Sequence, residues 1–74
     1  MEIQIKLYGV FRLGRFKEDK LTLPAGTRAG DVVERLALPR DLLGIILVNG
    51  RHSDASSPLE DGDVLSLLPV LDGG

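Results

Sequence analysis

Cysteine is absent from this chain of 74 residues, which excludes a disulfide, a thiol nucleophile and a thiolate metal site. Histidine occurs once, at position 52, so no imidazole pair for a zinc cluster can be built. Charge of one sign is also missing. The 9 Lys and Arg and 11 Asp and Glu are interspersed and leave a net charge of −2, which provides no positive field for nucleic acid. No apolar run approaches the roughly eighteen residues of a membrane span, and the first residues alternate apolar with polar instead of building a signal peptide. The expectation is a cytoplasmic protein with neither membrane nor nucleic acid as partner.

What is present is ordinary for a globular chain: 43% apolar and 27% charged residues. Residues 1–74 make one domain, close to the lower size at which a core holds without staples. A pocket enclosing a cofactor would consume much of so small a core. An autonomous enzyme is therefore disfavoured, no bound cofactor or metal is expected, and the protein is expected to act with something larger.

From Glu2 to Tyr8 the chain alternates, with Ile3, Ile5 and Leu7 on one face and Glu2, Gln4, Lys6 and Tyr8 on the other. This is a half-buried strand. Gly9 and Gly14 bracket Val10–Leu13, a basic stretch follows, and alternation resumes over Lys20–Leu23, giving a hairpin with a long turn. After the turn Pro24–Gly26, Thr27 is a candidate cap for a helix with apolar Ala29, Val32, Val33, Leu36 and Ala37 at helical spacing. Leu38-Pro39 should end it.

Pro39–Gly44 reads as a short helical connector, Ile45–Val48 as a third strand and Asn49-Gly50 as a turn. A very short strand is expected within 51–57, a 3₁₀ turn at Pro58–Glu60, and a last strand over Val64–Leu68. Hydrophobic residues on both faces put that last strand in the middle of a sheet. One helix covers only one face of such a sheet. With the last strand beside the first and parallel to it, the fold is an α+β β-grasp: a mixed four- or five-stranded sheet on one main helix, as in ubiquitin.

The tether Pro69–Asp72 then leads to Gly73-Gly74. Glycine usage averages about 7%, so a paired Gly end arises by chance in roughly 0.5% of chains. Such an end has no side chain, takes either sign of φ and terminates in a main-chain carboxylate. It suits passage through a narrow channel. The functional reading makes the Gly74 carboxylate the reactive group, delivered on a tail (69–74) with Gly73 allowing it to thread; the other reading is a frayed terminus.

Taken in order, Ile3–Gly9, Leu23–Thr27, Leu47–Gly50, Leu59–Val64, Leu68–Val70 and Gly73-Gly74 resemble the ubiquitin-like sulfur carriers over the whole chain. That family includes the small subunit of molybdopterin synthase (MoaD type) and the carrier of thiamin biosynthesis (ThiS type). The opening strand, the helix entry and Pro69-Val70 look more like the molybdopterin branch. The single proline before the tail and Asp72 depart from that branch.

The resemblance implies a carrier, not an enzyme, whose terminal carboxylate is joined to AMP by a ubiquitin-activating type of adenylating enzyme that uses ATP. A sulfur donor then converts it to a thiocarboxylate, which passes sulfur to a large subunit or acceptor synthase in molybdenum cofactor biosynthesis or a related route.

Ile46, Val48, Val64 and Leu68, continued by Pro69 and Val70, are candidates for an apolar patch that docks these partners. Some of them are core on the other reading, because alternation does not fix which parity of the third strand faces the helix. Arg12, Arg15, Lys17 and Lys20 read as a solvated loop or as a surface for an acidic partner. Two further functions stay open: a protein modifier joined through Gly74 to lysines, and a non-covalent interaction module with an idle tail.

Overall fold

A computed structural model describes residues 1–70, and Leu71 to Gly74 lie outside the described residues. The opening alternation becomes strand β1 (Glu2–Leu7), in which Ile3, Ile5 and Leu7 are fully buried. A 3₁₀ turn at Gly9–Arg12 follows and drives Phe11 into the core. Strand β2 (Glu18–Thr22) pairs antiparallel with β1, with Leu21 opposite Ile3. It starts two residues before the expected Lys20, because main-chain pairing carries it through the charged residues Glu18 and Asp19 on the sheet's edge.

Helix α1 (Ala29–Arg35) buries Ala29, Val32 and Val33, three of the five positions that the spacing marks as apolar. Thr27 does not cap it. Its hydroxyl donates to the Pro24 carbonyl at 2.7 Å inside the preceding turn. Arg28 is the capping residue, and the Asp31 carboxylate accepts its backbone N–H at 2.9 Å.

The helix also ends sooner than Leu38. Ala37 takes φ +53°, and the N–H groups of Ala37 and Leu38 donate back to the Glu34 and Val33 carbonyls. This pair of bonds is a Schellman stop, with alanine where glycine is the usual residue. Arg15 reaches across to the same helix end, donating to the carbonyls of Leu36 and Ala37 at 3.1 and 3.0 Å.

A 3₁₀ turn at Arg40–Leu42 leads into β3 (Leu43–Val48). Asn49 and Gly50 both have positive φ, as a two-residue hairpin turn requires, and β4 (Arg51–Ser53) returns antiparallel to β3. The 3₁₀ turn expected at Pro58–Glu60 is absent among the described residues. Pro58 bridges instead to Arg28, and the Leu59 N–H donates to the Thr27 carbonyl while its side chain is buried.

The last strand, β5 (Val64–Pro69), is central in the order β2-β1-β5-β3-β4, parallel to β1 and antiparallel to β3. This is the β-grasp arrangement. Leu65 and Leu67 of β5 join Ile3, Ile5, Leu7, Ile46, Phe11 and the helix in one core. Full burial of such a side chain contributes roughly 1.5–3 kcal/mol.

Candidate functional site

Because β5 lies parallel to β1 in the middle of the sheet, its end carries the chain out between β1 and β3. Several contacts fix that exit. Pro69 pairs with Leu43, and the Val70 N–H donates to the Leu42 carbonyl at 2.6 Å. On the other side the Tyr8 N–H donates to the Leu67 carbonyl at 3.3 Å.

Two glycines admit the chain here. A Cβ on Gly44 would stand 2.8 Å from the Val70 backbone, and one on Gly9 would stand 3.1 Å from the Pro69 ring. The β3 ladder shifts register at Gly44, between Leu43 and Ile45. A glycine was needed at that shift because main chain crosses main chain with no room for a side chain. Gly73 and Gly74, the expected reactive end, lie outside the described residues.

Registers settle which residues share the open face of the sheet. Val64, Ser66 and Leu68 of β5 stand there, with Ile45 opposite Leu68 and Leu47 opposite Ser66. Ile45, Leu47, Val64 and Leu68 therefore make a central apolar patch, and exposed Val70 extends it toward the exit. Lys6 and Gln4 of β1 border it on one side and His52 of β4 on the other.

Two of the residues expected in this patch are elsewhere. Ile46 is 7% exposed and faces the helix opposite Leu67, and Val48 packs on the core opposite Leu65. Their places are taken by Ile45 and Leu47, the other parity of β3. The four residues Ile45–Val48 are all apolar, so period-two reading had no contrast to work with. Val64 and Leu68 stand on the open face, while Pro69, expected at the start of the tail, is the last residue of β5 and Val70 is bonded to Leu42, because pairing with β3 carries the strand past Leu68.

Among the described residues the polar groups present no acid–base constellation. Asp54 is held below its ordinary pKa by the Ser56 hydroxyl and the Ser56 and Ser57 amides, as part of a solvated turn. Among the described residues no cluster of three or more His, Asp or Glu is arranged to hold a metal, and no helix is long and apolar enough to cross a membrane.

Asp63, in the turn before β5, accepts from the Asn49 side chain at 2.9 Å, and the Asn49 side-chain oxygen accepts from the Val64 N–H. These bonds tie the β3–β4 turn to the start of β5. They serve the fold.

The family model described as ThiS family matches residues 5–74. No curated protein sequence matches the chain.

Among solved structures, a Pyrococcus furiosus protein assigned as subunit 1 of a molybdopterin converting factor is 26% identical, with a TM-score of 0.78 over 96% of this chain and 99% of that one. Small archaeal modifier protein 1 of Haloferax volcanii is 20% identical, with a TM-score of 0.76 over 95% and 98% of the two chains. In a Helicobacter pylori complex of subunits 1 and 2 of molybdopterin-converting factor, the similar chain is 22% identical, with a TM-score of 0.68 over the full length of both. The last two show a shared ubiquitin-like fold.

Proposed function

Since this chain belongs to the ThiS family, whose model covers it from residue 5 to residue 74, we propose that it is a sulfur carrier working through the Gly74 carboxylate. The observation that carries the reading is the family match running through Gly73-Gly74, joined to a fixed exit for the chain at Pro69-Val70.

A carboxylate resists nucleophiles because its charge repels them and it has no leaving group. Transfer of AMP from ATP by an adenylating partner forms a mixed carboxylic–phosphoric anhydride, the acyl adenylate, and releases pyrophosphate. Hydrosulfide released by a donor then attacks the carbonyl carbon and loses its proton. AMP departs with the bonding electron pair, and a thiocarboxylate remains at Gly74.

The carrier supplies no acid, base or metal to these steps. Its body holds the end of β5 in place and presents Ile45, Leu47, Val64 and Leu68 for docking, so that arrival of the tail at the reactive centre becomes an effectively intramolecular event. The absence of cysteine is compatible with sulfur held as a thiocarboxylate. The partners in this reading are the adenylating enzyme, the sulfur donor and a large subunit or acceptor synthase of molybdopterin-type or related cofactor synthesis, all cytoplasmic. Likeness to the P. furiosus subunit supports that class of acceptor.

Mass spectrometry of the protein from its own host tests the proposal. A C-terminus at Gly74 carrying one oxygen-for-sulfur exchange is expected. Lysine peptides branched with Gly-Gly would assign it instead as a protein modifier, and an end that stays unmodified in the presence of the adenylating enzyme and ATP would overturn both.

A further inference from the structure

Positive charge is gathered at the end of the sheet where the chain leaves. Residues 6–20 hold Lys6, Arg12, Arg15, Lys17 and Lys20 against Glu18 and Asp19, a local excess of three positive charges in a chain whose net charge is −2. Lys6, Arg12 and Lys17, with Leu7, Tyr8 and Glu18, line a cleft of about 180 Å³.

Its cations are held ready. The Arg12 Nε–H donates to the Leu7 carbonyl at 2.9 Å and the guanidinium lies 5.5 Å from the centre of the Tyr8 ring, which leaves its two terminal nitrogens for another group. The Lys17 carbonyl accepts from the Leu7 N–H, anchoring that loop to β1. Glu18, the single acid lining the cleft, accepts a hydrogen bond from the Gln4 amide. Among the described residues none of the three cations has a carboxylate within ion-pair distance.

Tyr8 links the cleft to the exit through its bond to Leu67, and Lys6 stands opposite Ser66 in the apolar patch. The cleft is thus the charged end of the face that carries Val64 and Leu68.

We propose that the cleft formed by Lys6, Arg12 and Lys17 is a docking point for acidic side chains of the protein that engages the tail, an inference that rests on the sulfur-carrier reading for the identity of that protein. Charge complementarity decides the occupant. Three cations facing one acid at the edge of an apolar patch match a partner surface that is apolar with a carboxylate-bearing rim. Fixed charges of this kind act mainly on the rate of encounter and on orientation.

The test uses the whole chain labelled with ¹⁵N and a capped hexaglutamate peptide at low salt. Saturable shifts are expected at the amides of Lys6, Tyr8, Arg12 and Lys17. Lys17→Glu should weaken the peptide about tenfold, while Lys20→Glu, an identical charge change outside the cleft, should weaken it less than about twofold. Equal losses in the two variants, shifts spread over other surfaces, or no shifts would overturn the proposal. So would inorganic phosphate competing for the same amides at equal ionic strength, or phosphatidylserine vesicles losing affinity for Lys17→Glu when the peptide does not.

Adenylation of Gly74 separates the two readings. A Lys17→Glu chain adenylated at an unchanged, salt-insensitive rate would remove the docking point and leave the carrier standing. Peptide binding at the cleft of a chain that is never adenylated would remove the carrier reading and leave an acid-binding cleft.

Discussion

Val70 crosses Gly44 so closely that a Cβ on Gly44 would sit 2.8 Å from both the Val70 nitrogen and its Cα, and 3.0 Å from the Pro69 carbonyl carbon. Main-chain atoms cannot rotate away as a flexible side chain does. Gly44→Ala should therefore push Val70 off β3, break its bond to the Leu42 carbonyl and destabilise the domain by about 1–3 kcal/mol. Thermal denaturation and hydrogen exchange at the Val70 amide check this. An unchanged Tm with the Val70 amide still protected would show that the exit tolerates a side chain.

The proposed working end calls for a different signature. Gly74→Ala or Gly73→Val adds a Cβ where a partner's channel must be narrow, and a displacement of about 1 Å at the reacting atom costs on the order of 100-fold in rate. Adenylation should fall by that order while the Tm stays within a degree or so of the parent, as the proposal requires of residues that act inside a partner's channel. Activation at the parental rate would count against Gly74 as the reactive residue.

Neighbouring residues of β3 should behave in opposite ways. Ile46 is in the core, so Ile46→Ala should cost about 2–5 kcal/mol. Ile45 is 36% exposed on the open face; Ile45→Asp should leave stability nearly unchanged and weaken binding of the adenylating enzyme, as should Val64→Asp. Calorimetric titration with that enzyme, alongside denaturant melts, separates the two effects. Full affinity in both aspartate variants would move the docking surface elsewhere.

The helix stop offers a stabilising change. Ala37 bears a left-handed backbone at φ +53°, a conformation that costs a non-glycine residue roughly 1–2 kcal/mol. Glycine there would recover part of that after its own entropy loss, about 0.5–1 kcal/mol net. Ala37→Gly should raise the Tm by a few degrees. Arg15→Ala should lower it, because the Leu36 and Ala37 carbonyls lose their guanidinium partner.

The strands and their order were legible because β1 alternates sharply and β5 is apolar on both faces, which together demand a central last strand. Less was legible where main chain, not side chain, decides. The helix stops at Ala37 through two backbone bonds that no glycine announced, and β2 gains Glu18 and Asp19 through pairing with Lys6 and Ile5.

The candidate patch was half legible. Val64 and Leu68 alternate with buried Leu65 and Leu67, but Ile45–Val48 is uniformly apolar, and only its register against β5 tells which pair faces outward. Arg12, Arg15, Lys17 and Lys20 read as a solvated loop or as a surface for an acidic partner, and the sequence did not choose because the fold alone brings Lys6 beside Arg12 and Lys17.

The placement of β5 has a bearing on how the protein comes into being. Among the described residues, hairpins β1–β2 and β3–β4 share no ladder with each other, and β5 (64–69) is the strand that pairs with both. A nascent chain on the ribosome consequently holds two unjoined halves until that segment has cleared the exit tunnel. Assembly of the sheet then waits on the longest loop closures in the molecule, which are the slow kind, and any truncation before Val64 should yield two hairpins and no domain.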